Sequence, residues 1–259
     1  MSQATHNQAS ENAAANNEAY KQYVMKTLEK NAQEFCPPRK EKQMETLFSA
    51  LEKDFTQPDL KVLDACCGYG RLTYFLNEFA PQQNYIGIDY VESLINDAKE
   101  RFANQQSNIS FYCLDLLNLP TEYNKSFDVS ICYKSMFNFT YYTELVKTLV
   151  RVTKSKIYIT SPFYDGDVDF LTQVYSNASQ ESGVYANINT YSLPKFKKFC
   201  ESIGVKEVNA VNMKLDFDLP KHEDKNRLDT YTVQTANDGR LELTGNIILN
   251  WKLVELVLE

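Results

Sequence analysis

With 259 residues, 43% of them hydrophobic, the chain can bury one full core, so a single decorated domain is expected and a second complete one is not. Its 27 basic and 34 acidic residues give a formal net charge of −7, which disfavours a sequence-independent grip on phosphate backbones and makes nucleic acid a poor substrate. The polar stretch 1–17 has neither the basic start nor the apolar stretch of a signal peptide, and no apolar run approaches bilayer-spanning length, so a cytoplasmic protein without a membrane segment is expected.

In chain order, residues 1–18 read as a disordered arm, because low hydrophobicity coincides with no periodicity. Residues 19–259 read as one domain. Apolar positions at helical spacing predict an amphipathic N-terminal helix over 19–33, ended by Cys36-Pro37-Pro38, and a second over 41–55. Strand and helix then alternate. Strands are expected at 61–65, 85–89, 109–114, 127–133 and 156–160, with helices at 71–79, 91–102 and 142–152. That rhythm implies right-handed crossovers and a mostly parallel sheet covered on both faces. After a helix at 193–203, strand patterns at 205–215, 231–235, 241–244 and 247–258 follow one another without helices, and Asn237-Asp238-Gly239 is a hairpin signal. Antiparallel pairing at one sheet edge is expected. The fold class is therefore α/β, a doubly wound, seven-stranded, mostly parallel, Rossmann-like sheet with an antiparallel C-terminal edge and an N-terminal helical extension.

Side-chain chemistry narrows the function. The cysteines Cys36, Cys66, Cys67, Cys113, Cys132 and Cys200 form no CxxC pair and have no histidine at zinc-site spacing, so reduced buried thiols are expected and no metal. His6 and His222 are the only histidines, which excludes a histidine network.

The first strand runs into Asp64-Ala65-Cys66-Cys67-Gly68-Tyr69-Gly70-Arg71, a tight turn opening a helix at the carboxyl edge of the sheet, where open α/β folds bind ligands. Gly68 and Gly70 permit close backbone approach, and the helix N-terminus offers N–H groups to an anion. Asp89 ends the second strand roughly twenty residues beyond Gly68, placed to accept ribose hydroxyls. Asp115, just past the third strand, can accept from an adenine amino group while Leu116 offers backbone N–H and apolar surface.

On these residues the chain resembles the class I S-adenosylmethionine-dependent methyltransferases of the bacterial small-molecule type, closely over 61–162 and in architecture over 41–259. The resemblance implies S-adenosylmethionine as cofactor. Asp64 and the backbone at Cys66 and Gly68 would hold its methionyl end, Asp89 its ribose, and Asp115 with Leu116 its adenine. Tyr90 would flank the adenosine, Cys132 and Tyr133 would lie along the methionine, and Arg39 would meet the carboxylate. Cys66 departs from the family pattern, which has glycine two positions after the acid.

A nicotinamide dehydrogenase is the nearest rival, but its GxGxxG fingerprint needs glycine where Thr73 stands. A protein that binds the cofactor without catalysis is the other alternative, and an aminopropyltransferase would show more acids after the fourth strand. The acceptor is expected to be a small molecule, because no Asp/Asn-Pro-Pro-aromatic run and no Pro-Cys follows the fourth strand. Methyl transfer needs chiefly alignment, with a base only for a protonated acceptor. Tyr133 and His222 are the catalytic candidates. The insert at about 163–190 is the expected acceptor cover, and its Asp165, Asp167 and Asp169 read as an acidic loop rather than a calcium or magnesium site. Oligomeric state is left open.

Overall fold

A computed structural model describes residues 41–103, 107–175, 184–223, 229–236 and 239–259. The arm at 1–18, the helix at 19–33, His6, Cys36 and Arg39 lie outside the described residues.

Helix α1 (Gln43–Leu51) precedes strand β1 (Lys61–Ala65), and the alternation continues through α2 (Arg71–Phe79), β2 (Asn84–Asp89), α3 (Glu92–Phe102), β3 (Ile109–Cys113), β4 (Phe127–Cys132), α4 (Thr143–Val152) and β5 (Thr153–Tyr164). After β5 come β6 (Gln173–Tyr175), β7 (Val184–Asn187), β8 (Tyr191–Ser192), α5 (Leu193–Ser202) and β9 (Glu207–Asn212). The chain continues through β10 (Thr230–Thr235), β11 (Gly239–Thr244), β12 (Ile247–Ile248) and β13 (Trp251–Val257).

Seven strands form the main sheet in the order β3-β2-β1-β4-β5-β13-β9, with short β8 added beside the end of β5. Only β13 runs antiparallel to its neighbours, from Trp251 opposite Pro162 to Val257 opposite Lys156 on one side and against β9 on the other. This is the expected doubly wound sheet with an antiparallel strand near its C-terminal edge. Each strand of its centre is apolar on both faces. Leu47, Leu76, Val62, Ile131 and Leu253 pack on the side of α1 and α2, and Leu63, Leu145, Ile159, Phe196 and Val254 on the side of α4 and α5. Burial of this kind contributes about 25 cal/mol per Å² of apolar surface. Among the described residues no helix is long and apolar enough to cross a membrane.

The late hairpin departs from expectation. β10, β11 and β12 form a separate three-stranded sheet instead of joining the main one. β13 takes the edge of β5 and β9 takes the far edge of β13, while β10 pairs with β11 and β11 with β12. The small sheet is tied instead to the chain leading into it, by Thr232 N–H to the Leu219 carbonyl at 3.0 Å. Boundaries moved too, since α1 is shorter than 41–55 and β5 runs well beyond 156–160.

The strand order reverses at β1, which feeds β2 on one side and stands beside β4 on the other, and so opens a crevice above its carboxyl end. Gly87 of β2 stands in register with Phe111 of β3 beneath this crevice. A Cβ there would sit 2.5 and 2.7 Å from Phe111 ring atoms and 2.9 Å from the Cys67 sulfur. Gly87→Ala is therefore expected to cost about 1–3 kcal/mol by overpacking, read as a lower urea midpoint at unchanged m-value.

Candidate functional site

The turn after β1 is held from β2. Cys67 N–H donates to the Ile88 carbonyl at 3.1 Å, and Gly68 N–H donates to Asp89 Oδ2 at 3.0 Å. Asp89 Oδ1 accepts from Val91 N–H at 3.0 Å, so one carboxylate joins the turn to the start of α3. Cys66, Gly68 and Gly70 all have positive φ, at 60°, 56° and 78°. Cys66 thus keeps the left-handed backbone that a glycine would adopt without strain. The two glycines serve different ends. A Cβ at Gly68 would meet open space, which leaves its backbone approachable, whereas one at Gly70 would lie 2.7 Å from the Phe111 ring. Gly70 is small for packing.

Asp64, only 2% exposed, accepts from the Thr73 hydroxyl at 2.7 Å. Thr73 therefore stands where a dinucleotide fingerprint has glycine because it anchors α2 to the Asp64 carboxylate. Burial, with the nearby Asp89 charge, pushes the Asp64 carboxyl up to about 7. Burial also raises Asp89, against backbone hydrogen bonds from Val91, Gly68 and Tyr90. Among the described residues neither acid is paired with lysine or arginine. Asp115 is more exposed. It caps the short 3-10 turn Leu116–Asn118, accepting from Leu117 N–H at 3.0 Å and the Asn118 amide at 2.6 Å. The Leu116 side chain lies in the core, and the partly buried Tyr90 offers its carbonyl to the Cys113 thiol.

At the end of β4, the fully buried Cys132 lies against Cys66, and this contact together with burial pushes the Cys66 thiol well above its ordinary range. Tyr133 donates to Glu41 Oε2 at 3.0 Å. Lys134, at φ 51°, also reaches Glu41 Oε2, and Arg71 reaches Oε1, each at 2.6 Å. Burial would raise the Glu41 carboxyl, but the Lys134 and Arg71 charges and hydrogen bonds from Lys134 and Tyr133 hold it below its usual range. Burial and the Glu41 charge raise the Tyr133 hydroxyl, so Tyr133 is a committed donor and not a base at neutral pH. His222 is exposed, beyond the Leu219–Thr232 tie and outside the cavity described next.

A cavity of about 720 Å³ opens beside this cluster, between the end of β5, the insert and the small sheet. Phe163, Tyr164, Phe170 and Trp251 form its aromatic wall, and Glu242 and Lys252 are the buried charged residues lining it. The Trp251 ring joins the cavity to the β4 loop, with Lys134 Nζ 5.0 Å from its centroid and Phe137 packed edge-on at 5.4 Å. Asp165 pairs with Lys252 at 3.1 Å and Asp169 with Lys195 at 3.3 Å, so the two acids serve separate contacts. Among the described residues no group of three or more such side chains is placed to hold a metal ion. Sequence reading missed Glu41, Arg71, Lys134, Glu242 and Trp251. Arg71, next to the flagged Gly70, and Lys134, next to the flagged Tyr133, carried a positional signal.

The strained turn can be tested directly. A left-handed residue with a Cβ costs about 1–2 kcal/mol, so Cys66→Gly should be more stable than Cys66→Ala by about 1 kcal/mol, both having lost the thiol. Urea denaturation of the two variants checks this, and equal midpoints would remove the strain.

A profile of the methyltransferase domain matches residues 56–229. The malonyl-[acyl-carrier protein] O-methyltransferase of Acetivibrio thermocellus is 27% identical over 217 residues, 79% of this chain and 71% of that one. The protein of the same name from Priestia megaterium is 24% identical over 60% of this chain, which spans only 57% of its length. Among solved structures, the 1,6-didemethyltoxoflavin-N1-methyltransferase of Burkholderia thailandensis superposes with a TM-score of 0.60 at 13% identity, covering 93% of this chain and 88% of that one. With the profile spanning the sheet from before β1 through β9 and the reversal at β1 in place, the chain belongs to the methyltransferase-domain family.

Proposed function

We propose that the protein binds S-adenosylmethionine across the carboxyl ends of β1, β2 and β3 and transfers its methyl group to a small molecule held beside Trp251. The observation that carries this reading is the pair of buried carboxylates, Asp64 and Asp89, flanking an approachable backbone at Gly68 in a chain of the methyltransferase family. A buried acid without a cationic partner favours a ligand that brings positive charge and hydroxyl donors.

In this reading Asp64 and the backbone of Cys66, Gly68 and Gly70 hold the methionyl end. The second lone pairs of the Asp89 oxygens accept from the ribose, Asp115 and the Leu116 N–H meet the adenine, and Tyr90 flanks it. Cys132 and Tyr133 line the methionine, and Arg39 faces the carboxylate. Bound there, S-adenosylmethionine supplies a methyl carbon activated by its sulfonium. The chain aligns the acceptor, excludes water and fixes the angle of attack, a contribution of up to about 7–11 kcal/mol in well-oriented reactions. Tyr133 acts as a positioning donor. His222, exposed in the chain that leads to the small sheet, does not line the cavity, and the reaction as proposed does not use it. The insert at 163–190 covers the acceptor, since Phe170, Thr172 and Thr190 line the cavity. A cytoplasmic setting suits the free thiols of Cys66, Cys67, Cys113, Cys132 and Cys200, and the net charge of −7 disfavours a nucleic-acid partner.

Calorimetry with S-adenosylhomocysteine should give a micromolar-range dissociation constant, about −8 kcal/mol. Because burial raises the Asp64 carboxyl to about 7, its protonated form stabilises the cofactor-free fold at acid pH, and that stability is lost as pH rises through 7. The ligand's ammonium group requires the ionised form. Affinity should therefore increase from pH 6 to pH 8, with proton release at pH 7 seen as a buffer-dependent enthalpy, and Asp64→Asn should abolish both. Absence of binding would overturn the reading, and binding without S-adenosylhomocysteine release on any acceptor would favour the non-catalytic alternative.

A further inference from the structure

Of the two buried charged groups on the wall of the cavity beside Trp251, one has a neutral partner. Lys252, the other buried charge on its wall, is matched by Asp165 at 3.1 Å and Asn212 at 2.7 Å, and Arg240 by Asp218 at 2.7 Å. Glu242, 7% exposed, instead accepts from the uncharged Gln43 side chain, whose Nε2 donates to Oε1 at 2.8 Å and Oε2 at 2.9 Å. Among the described residues Glu242 forms no ion pair. The charged and titratable groups around it are Lys134 and Tyr133 from the β4 loop and Glu41 ahead of α1. The single amide grips both oxygens, which fixes the carboxylate plane and leaves each oxygen a free lone pair.

We propose that Glu242 is the general base of the reaction and that the acceptor is an aromatic compound presenting an N–H or O–H group to it. This rests on the methyl-transfer reading above. The class of acceptor follows from the walls. Trp251 stands on one side, and the edge-on pair Tyr164–Phe170, 5.3 Å between centroids, brings further ring surface from the end of β5 and the insert. Flat rings gain from stacking and edge contacts of this kind. In the reaction the acceptor nitrogen or oxygen forms a bond to the methyl carbon, and the carbon–sulfur bond breaks with its electron pair going to sulfur. S-adenosylhomocysteine leaves, and the acceptor's N–H or O–H proton passes to the Glu242 carboxylate and then to water. Burial raises the Glu242 carboxyl to about 7, against the Lys134 charge and the Gln43 hydrogen bond, which matches a base working near neutral pH.

Trp251 is the chain's only tryptophan, so its fluorescence reports on the cavity. With S-adenosylhomocysteine bound, catechol and benzimidazole should quench it saturably and cyclohexanol should not. With S-adenosylmethionine, release of S-adenosylhomocysteine over a panel of phenols and N-heteroaromatics should fall about 100-fold or more in Glu242→Gln. The parent's kcat should rise through pH 7 and that limb should vanish in the variant, while cofactor affinity is unchanged. Glu242→Gln keeps the shape and removes a buried charge, so it should melt no lower than the parent at pH 8, and Glu242→Asp should recover part of the turnover. Turnover within threefold of the parent in Glu242→Gln overturns the proposal. So does a panel that neither quenches Trp251 nor yields methylated product while the cofactor still binds. Loss of cofactor binding in the parent itself overturns the underlying reading instead.

Discussion

The Asp89 carboxylate is the contact on which the site depends. It takes one hydrogen bond from the Gly68 amide and another from the Val91 amide, so a single side chain closes the turn after β1 against the start of α3. Asp64 does the same work one strand away, holding α2 through Thr73. Both acids are buried to do this, and burial of a carboxylate is unfavourable without compensation. The structure therefore stores at the head of its sheet a demand for positive charge and donors, and the ligand class proposed above meets it.

A second polar layer lies between that turn and the cavity. Glu41 gathers Arg71, Tyr133 and Lys134 onto one carboxylate, while Lys134 also stands over the face of Trp251. Lys134 and Cys66 both occupy left-handed backbone at the ends of the adjacent strands β4 and β1. Strain of this kind persists only where neighbours hold it in place. Here the Lys134 amide is fixed by the Thr160 hydroxyl at 2.6 Å and Cys66 by its packing against Cys132.

The fold was legible because β1 to β5 carry apolar runs bounded by turn residues, and the intervening helices carry a 3.6-residue stripe. The acids Asp64, Asp89 and Asp115 were legible for the same reason, since each lies within two residues of the end of a strand. The small sheet was not. Along β11 the pattern Leu241-Glu242-Leu243-Thr244 suggests that the leucines face inward, yet Glu242 and Thr244 are the buried pair. A hairpin that turns Glu242 and Thr244 inward inverts the usual alternation, and nothing local announces it. The role of Gln43 was hidden likewise, because its partner is 199 residues away. Cys66 was legible as a departure from a pattern, but only its φ shows that the backbone kept the glycine conformation.

The position of β13 bears on how the molecule comes into being. β13, which follows the other strands of this sheet in the chain, fills a slot in its interior, between β5 and β9. Until residue 257 has left the ribosome, β5 presents an unpaired edge with apolar faces and β9 has no strand to join. The β5–β13–β9 side of the sheet therefore closes only once β13 is available, and until then the nascent chain carries an exposed, aggregation-prone edge. Long-range pairing of this sort is intrinsically slow. A holdase that covers the β5 edge would limit that hazard until β13 pairs.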